Sequence, residues 1–197
     1  MEPNWFVAWP VVVAPGFRLP DAPRRVRVFP AEDRHVTAVF LGACGEAAAR
    51  RVFASAAALP APNARATFGP VEALGNPARP SALSALVAEG REALAEIIAD
   101  HRADWLAQAG RRPDTRPPLP HCTLARAQRR ATEAERVAAV NWGRQLETNG
   151  VTLEVRPLAL YTWAEDRRER LFQIVDQAAP LRRGEADPPP GSGDADR

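Results

Sequence analysis

The sequence predicts an α+β fold in which strands outnumber helices and the two halves of the chain repeat one pattern. Short runs rich in β-branched residues end at glycine or proline, which is typical of strands. Alanine-rich segments carry apolar residues at helical spacing. Each half also contains a predicted strand that carries a histidine and is followed by a helix and further strands, which indicates an internal duplication.

The composition excludes several classes of protein. The 197 residues are 46% hydrophobic and 25% charged, which is ordinary for a globular domain with one sizeable core. No apolar run approaches the ~20 residues of a membrane helix, and two cysteines are too few for a disulfide framework or a four-cysteine zinc site. A net charge of +2 is too small for a bulk polyanion binder. We expect one domain over residues 1–181, located in the cytoplasm.

The first half is read from its prolines and glycines. Pro10 interrupts the first apolar run, Gly42 ends a run of β-branched and apolar residues, and an alanine-rich stretch follows. The predicted elements are a strand over 5–9, a proline-rich loop over 11–23, a short strand over 26–29, a strand over 34–41 and a helix over 45–59.

The second half repeats this pattern of strands and helices. Thr132 has Glu135 three positions later, which is the spacing of a capping box at a helix start. The predicted elements are strands over 66–74 and 81–87 with a turn over 75–80, a helix over 91–109, an arginine- and proline-rich loop over 110–120, a strand over 121–125, a helix from 133 to about 146, and a closing strand pair over 151–162 and 170–175. Residues 182–197 are rich in Pro, Gly, Ser and Asp, which predicts a disordered tail.

Two His-x-Thr motifs lie on predicted strands, at 35–37 and 121–123. Residues two apart in a strand project from the same face, so each motif offers an imidazole beside a hydroxyl while its middle residue points into the core. The two pairs are His35 with Thr37 and His121 with Thr123.

Two such pairs that face one cleft are suited to hydrolysis of a phosphodiester. One imidazole takes a proton from the attacking water, and the other gives a proton to the departing oxygen. The hydroxyls donate hydrogen bonds to the phosphoryl oxygens, on which charge builds. This chemistry needs neither a metal nor a cofactor, and the sequence offers no plausible cluster of metal ligands. The alternative is that both histidines are ordinary strand residues on a polar face.

The segments HVTAVFLG at His35 and PHCTLAR at His121, with a closing pair around LALYTW, resemble the 2H phosphoesterase superfamily. The resemblance is to its bacterial branch of 2′-5′ RNA ligase-like proteins, also described as RNA 2′,3′-cyclic phosphodiesterases, and covers roughly residues 4 to 181. It implies two pseudo-symmetric lobes, each of antiparallel sheet plus helices, around a central cleft that holds both motifs. It also implies that His35 is the proton donor, that His121 is the proton acceptor, and that Thr37 and Thr123 hold phosphate. The family usually has a helix where segment 11–23 is proline-rich, which leaves the choice of substrate open.

Further candidate residues surround the motifs. Arg126 matches an arginine that often follows the family's second motif, and we expect it to contact phosphate if the strand has ended before it, because strict alternation points it away from the cleft. Tyr161 is a candidate to stack on a base, with a place in the strand core as the alternative. Two groups of arginines precede the motifs and either steer a polyanion or are solvated loop charges: Arg24, Arg25 and Arg27, then Arg111, Arg112 and Arg116.

The resemblance implies a metal-independent enzyme that opens a terminal 2′,3′-cyclic phosphate on RNA or a nucleotide to give the 2′-phosphate. The reverse reaction, which joins RNA ends through a 2′-5′ bond, uses the same groups and stays open. One alternative is a small-molecule cyclic phosphodiesterase acting on ADP-ribose cyclic phosphate, and another is a non-catalytic RNA- or nucleotide-binding module. We expect an RNA end or a nucleotide cyclic phosphate as the partner, no membrane, no obligate protein partner and a monomer.

Overall fold

The computed structural model describes residues 2–59, 65–76 and 79–179. Within these ranges the chain forms nine strands and three α-helices, which confirms the predicted α+β class. The predicted tail over 182–197 lies outside the described residues. The elements are β1 (Trp5–Val13), β2 (Val26–Val28), β3 (His35–Gly42), α1 (Glu46–Ala57), β4 (Ala66–Asn76), β5 (Arg79–Val87), α2 (Arg91–Gln108), β6 (His121–Ala127), α3 (Glu133–Arg144), β7 (Thr152–Val155), β8 (Ala159–Trp163) and β9 (Phe172–Gln177).

The strands pair in the order β2-β6-β5-β4-β7-β1-β8-β9, and β3 pairs with both β1 and β6. Every strand pair in the described ranges is antiparallel. The first lobe centres on β1, β3 and β8 with α1 packed against it, and the second centres on β4, β5 and β6 with α3 against it. Strand β3 therefore joins the two lobes, and the motif that it carries lies at their junction.

Several predicted boundaries differ from the structure, and proline explains two of the differences. Strand β1 runs to Val13, because the Pro10 carbonyl still accepts a hydrogen bond from the Arg156 amide although proline has no amide hydrogen of its own. Residues 11–13 then pair with β7. The predicted strand over 151–162 is two strands, since Pro157 lacks an amide hydrogen and interrupts the ladder. Of these two strands, β8 pairs with β9, whereas β7 pairs with β1 and β4.

The helices follow their apolar patterns. Helix α2 buries Leu94, Ile98 and Trp105, and α3 begins with the predicted capping box, in which the Thr132 hydroxyl and the Glu135 carboxylate each bond the other residue's backbone amide. No helix of the described residues is long and apolar enough to cross a membrane.

Both motif strands contain a β-bulge directly after the motif. On β3 the register against β1 gains a residue between Thr37 and Val39, and on β6 the register against β5 gains one between Thr123 and Ala125. A bulge inserts one residue and reverses the alternation of side chains beyond it. The residue five positions after each histidine therefore returns to the face of the motif: Phe40 on β3 and Arg126 on β6.

Candidate active site

The two motifs meet through their middle residues. Val36 pairs with Cys122 where β3 and β6 run antiparallel, and both side chains are fully buried, as alternation predicts. This register sets each histidine opposite the threonine of the other motif. The two histidines are then diagonal neighbours, and such positions lie roughly 7–8 Å apart across an antiparallel pair.

Each imidazole is held by a backbone carbonyl two residues earlier in the chain. His35 Nδ1 lies 2.7 Å from the carbonyl oxygen of Asp33, and His121 Nδ1 lies 2.6 Å from that of Leu119. A carbonyl oxygen only accepts, so Nδ1–H is the donor in both rings and Nε2 remains as the second ring nitrogen. The two lobes therefore present the same tautomer to the cleft.

Burial lowers the pKa of both histidines. The pKa of His35 falls to about 4 because its charged form is desolvated; the bond to Asp33 offsets part of this effect and the nearby His121 adds to it. The pKa of His121 is also lowered by desolvation, against a smaller opposing effect of the Leu119 carbonyl. Both rings are therefore neutral at pH 7 when the cleft is empty.

Aromatic rings enclose His35. Its ring centroid lies 4.9 Å from that of Phe6, 5.2 Å from that of Tyr161 and 5.3 Å from that of Phe172. Phe6 and Tyr161 are themselves stacked at 4.9 Å. This apolar wall is the physical source of the desolvation.

Tyr161, a candidate to stack on a base with the strand core as the alternative, lies in the strand core. Its side chain is fully buried, with Phe6 stacked on it and His35 packed against it. No face of the ring is open to a base, so the structure favours the alternative, a place in the strand core. Tyr161 supports the His35 ring from behind.

A buried carboxylate fixes the segment that forms one wall. Asp33 is completely buried, and its two oxygens accept hydrogen bonds from the backbone amides of Leu171, at 2.6 Å, and Phe172, at 3.3 Å. The same residue holds His35 through its carbonyl. Sequence reasoning missed Asp33, because a charged residue before a strand gives no sign that it is buried.

The threonines line the cleft with the histidines, and one of them has a dedicated partner. Thr123 Oγ1 lies 3.0 Å from Ser84 Oγ, and Ser84 is fully buried on β5. This hydrogen bond fixes the direction in which the Thr123 hydroxyl points. Ser84 was not singled out in the sequence, since nothing but the β5–β6 pairing brings it to the motif.

The cleft is a cavity of about 440 Å³ that contains all four motif side chains and a positive rim. The guanidinium groups along it belong to Arg27, Arg126, Arg129 and Arg167. Burial lowers the pKa of Arg126, and the positive charge of the nearby Arg167 lowers it further by a smaller amount. Arg126 was expected to face the cleft only if the strand ended before it. This condition is wrong, because β6 continues to Ala127. The bulge on β6 turns the side chain toward the cleft instead.

Among the arginines that precede the first motif, one lines the cleft and another forms an ion pair at the surface. Arg27 lies opposite Arg126 in the β2–β6 pair, lines the cleft, and donates a hydrogen bond of 3.1 Å to the carbonyl of Arg168. Arg24 pairs with Glu135 at the surface instead. Arg129 and Arg167 were missed, because they lie in charged loop segments without periodicity.

The third histidine of the sequence, His101, is half-buried on α2. Its ring stacks on the buried Trp105 at 5.5 Å, one helical turn along α2. It lies outside the residues that line the cleft. In the described residues, no group of three or more His, Cys, Asp or Glu side chains is arranged to hold a metal ion.

Comparison with known proteins gives a result only at the level of structure. No family model matches the sequence, and no curated protein matches it significantly. The structure of Escherichia coli LigT complexed with 3′-AMP matches 92% of this chain and 100% of its own at 17% identity and a TM-score of 0.58. A phosphoesterase matches the same shares at 15% and 0.58, and TT0787 of Thermus thermophilus matches 91% of this chain and 100% of its own at 20% and 0.53. This chain therefore has the fold of LigT, in agreement with the fold that the family resemblance implies.

Proposed function

We propose that this protein is a phosphoesterase of the 2H type that hydrolyses a terminal 2′,3′-cyclic phosphate of RNA or of a nucleotide to the 2′-phosphate, without metal or cofactor. One observation carries the proposal: Val36 pairs with Cys122, so that two His-x-Thr pairs with the same tautomer share one cleft. The fold adds support, since LigT has been crystallised with 3′-AMP, with NADP+ and with ATP.

The diagonal placement of the histidines suits an in-line displacement. A neutral imidazole accepts a proton from water through Nε2 as the water oxygen bonds to phosphorus. The bond from phosphorus to the ribose 3′ oxygen breaks on the opposite side, and that oxygen takes a proton from the other, protonated imidazole. The resemblance to the 2H family assigns the base to His121 and the acid to His35.

The environment of His35 suits an acid. A bound cyclic phosphate brings a negative charge that favours the imidazolium. The aromatic wall has the opposite effect and makes the imidazolium a strong donor once the proton is bound. The ring therefore gains a proton with the substrate and releases it readily to the leaving oxygen.

The hydroxyl and guanidinium groups stabilise the developing charge. Thr37 and Thr123 donate to the nonbridging oxygens, and Ser84 orients the second of them. Arg126 supplies a planar charged donor on the same face of β6, which strengthens such contacts.

Two alternatives remain separable by experiment. A small-molecule enzyme would prefer ADP-ribose cyclic phosphate to an RNA end, and a binding module would hold either one without turnover. The presence of all four motif residues in one cleft argues against the binding module. The reverse reaction would join RNA ends through a 2′-5′ bond with the same four groups.

The direct test compares three substrates: a short RNA ending in a 2′,3′-cyclic phosphate, a mononucleotide 2′,3′-cyclic phosphate, and ADP-ribose cyclic phosphate. We expect hydrolysis of the first two to 2′-phosphates, identified by phosphorus NMR, at rates that exhaustive EDTA treatment leaves unchanged. Loss of activity with EDTA that a divalent cation restores would contradict metal independence. Binding of all three without turnover would establish the binding module instead.

A further inference from the structure

A second groove begins on the other side of Phe40. This groove has a volume of about 660 Å³ and is lined by the end of β3, the end of α2 and the loop over 110–116. Phe40 lines both the groove and the catalytic cleft, and 57% of its surface is exposed. The bulge on β3 places it there, since it turns Phe40 to the face that carries His35 and Thr37.

The groove is strongly positive. Four guanidinium groups line it against a single carboxylate, that of Asp114: they belong to Arg102, Arg111, Arg112 and Arg116. Arg116 forms two bonds with Asp114, at 2.9 and 2.7 Å, and Arg102 lies 3.8 Å from the same carboxylate. Among the described residues Arg112 has no carboxylate partner within ion-pair distance, and it is exposed to the groove. Three net positive charges are left for a ligand.

The fold holds one of these guanidinium groups in place. Arg111 Nε donates a hydrogen bond of 2.7 Å to the carbonyl of Leu41 on β3, which leaves its two terminal nitrogens for other contacts. Its Nη2 lies 2.2 Å from the point that a Cβ at position 42 would occupy, and Gly42 has φ of +62°. Glycine at the end of β3 therefore serves both the turn and the close approach of the guanidinium.

We propose that this groove is a second phosphate site, which binds the phosphodiester on the 5′ side of the reacting nucleotide of a single-stranded RNA, with Phe40 as the platform on which a base stacks between the two sites. The inference rests on the proposed function and extends it from the reacting phosphate to the strand behind it. Planar arginine forks match phosphate oxygens, and alternating aromatic and cationic groups are the usual means of holding a single strand. The continuity of the groove with the cleft favours a strand over an unrelated acidic ligand.

The test measures kcat/KM on a tetranucleotide and on a mononucleotide, both ending in a 2′,3′-cyclic phosphate. The wild-type protein should prefer the tetranucleotide. Arg112→Gln should lower the ratio of the two values roughly tenfold, the size expected for one charged contact to phosphate. It should also reduce the dependence of log kcat/KM on log salt concentration by about 0.7 for the tetranucleotide. The matched control is Arg144→Gln, which removes an exposed charge at the end of α3.

The stacking platform is tested with Phe40→Ala. Loss of one base stack should reduce the same ratio roughly tenfold. Val137→Ala, which truncates an apolar side chain that is 51% exposed on α3, should leave the ratio unchanged.

Direct binding separates this inference from the proposed function. A tetranucleotide ending in a 2′-phosphate should bind more tightly than the mononucleotide 2′-phosphate, and Arg112→Gln should reduce the difference roughly tenfold. If the wild type turns over no cyclic phosphate but this difference in binding persists, the proposed function fails and the second site stands. Equal kcat/KM for the two lengths, or variants that affect ADP-ribose cyclic phosphate and spare the tetranucleotide, would overturn the second site.

Discussion

His35 and His121 each perform one proton transfer in the proposed reaction, and a positioned acid or base contributes roughly 10²–10⁴ in rate. We therefore expect His35→Ala and His121→Ala each to lower kcat/KM on a cyclic phosphate by this factor while unfolding cooperatively. His101→Ala is the matched control, because its ring stacks on Trp105 outside the cleft. Near wild-type turnover by either cleft variant would rule out the two-histidine mechanism.

The pH dependence separates the roles of the two rings. Since the pKa of His35 is lowered to about 4 and that of His121 is also lowered, the bell of kcat/KM should have its maximum on the acid side of 6.5. His121→Ala should lose the acidic limb, because no base then has to shed a proton, and its residual activity should fall as the pH rises past about 4. His35→Ala should lose the basic limb instead. Exchange of these two outcomes would reverse the assignment of acid and base, and limbs unchanged in both variants would remove the histidines from proton transfer.

At the scale of the element, strand and helix positions were predictable wherever one local pattern dominated. Alternation alone predicts that the His and Thr of each motif share one face of their strand, and spacing alone predicts the capping box at Thr132. The bulges were not predictable, because the position of an extra residue in a strand depends on the register of the partner strand and on the core packed behind it. For the same reason the sequence left Tyr161 open between base stacking and the strand core, since its burial depends on Phe6 from another strand.

The bulge on β6 makes Arg126 testable as a cleft residue. Arg126→Ala should lower kcat/KM roughly 10- to 100-fold through loss of a charged hydrogen bond to phosphate, with little change in the melting temperature. Arg126→Lys should recover part of the activity, since it restores the charge but not the planar fork. Arg130→Ala, which removes an exposed arginine outside the cleft lining, is the control. Activity equal to wild type in Arg126→Ala would contradict the contact between this side chain and phosphate, and would favour the outer face that strict alternation predicts.

At the scale of the whole molecule, one residue couples the site to the closure of the sheet. Asp33 holds His35 through its carbonyl and the start of β9 through its carboxylate, while β9 extends the sheet from β8. The apolar wall around His35 is assembled from β1, β8 and β9. The lowered pKa of this imidazole is therefore a property of the folded molecule, and unfolding returns the pKa to its ordinary value near 6.5.

Stability should consequently fall in acid by an amount that His35 sets. The folded-state pKa of about 4 lies below the unfolded value near 6.5, so the unfolded chain binds more protons between these values. The contribution of neutral His35 is complete above pH 6.5, declines as the pH falls, and is gone below about 4, a total of about 3 kcal/mol. Urea unfolding of wild type and His35→Gln should show free energies of unfolding that converge by about this amount between pH 7.5 and 4, because the shared carboxylates cancel in the difference. A constant offset for His35→Gln over the same range would mean that the ring is solvated in the folded protein, and the acidic position of the activity bell would lose its physical basis.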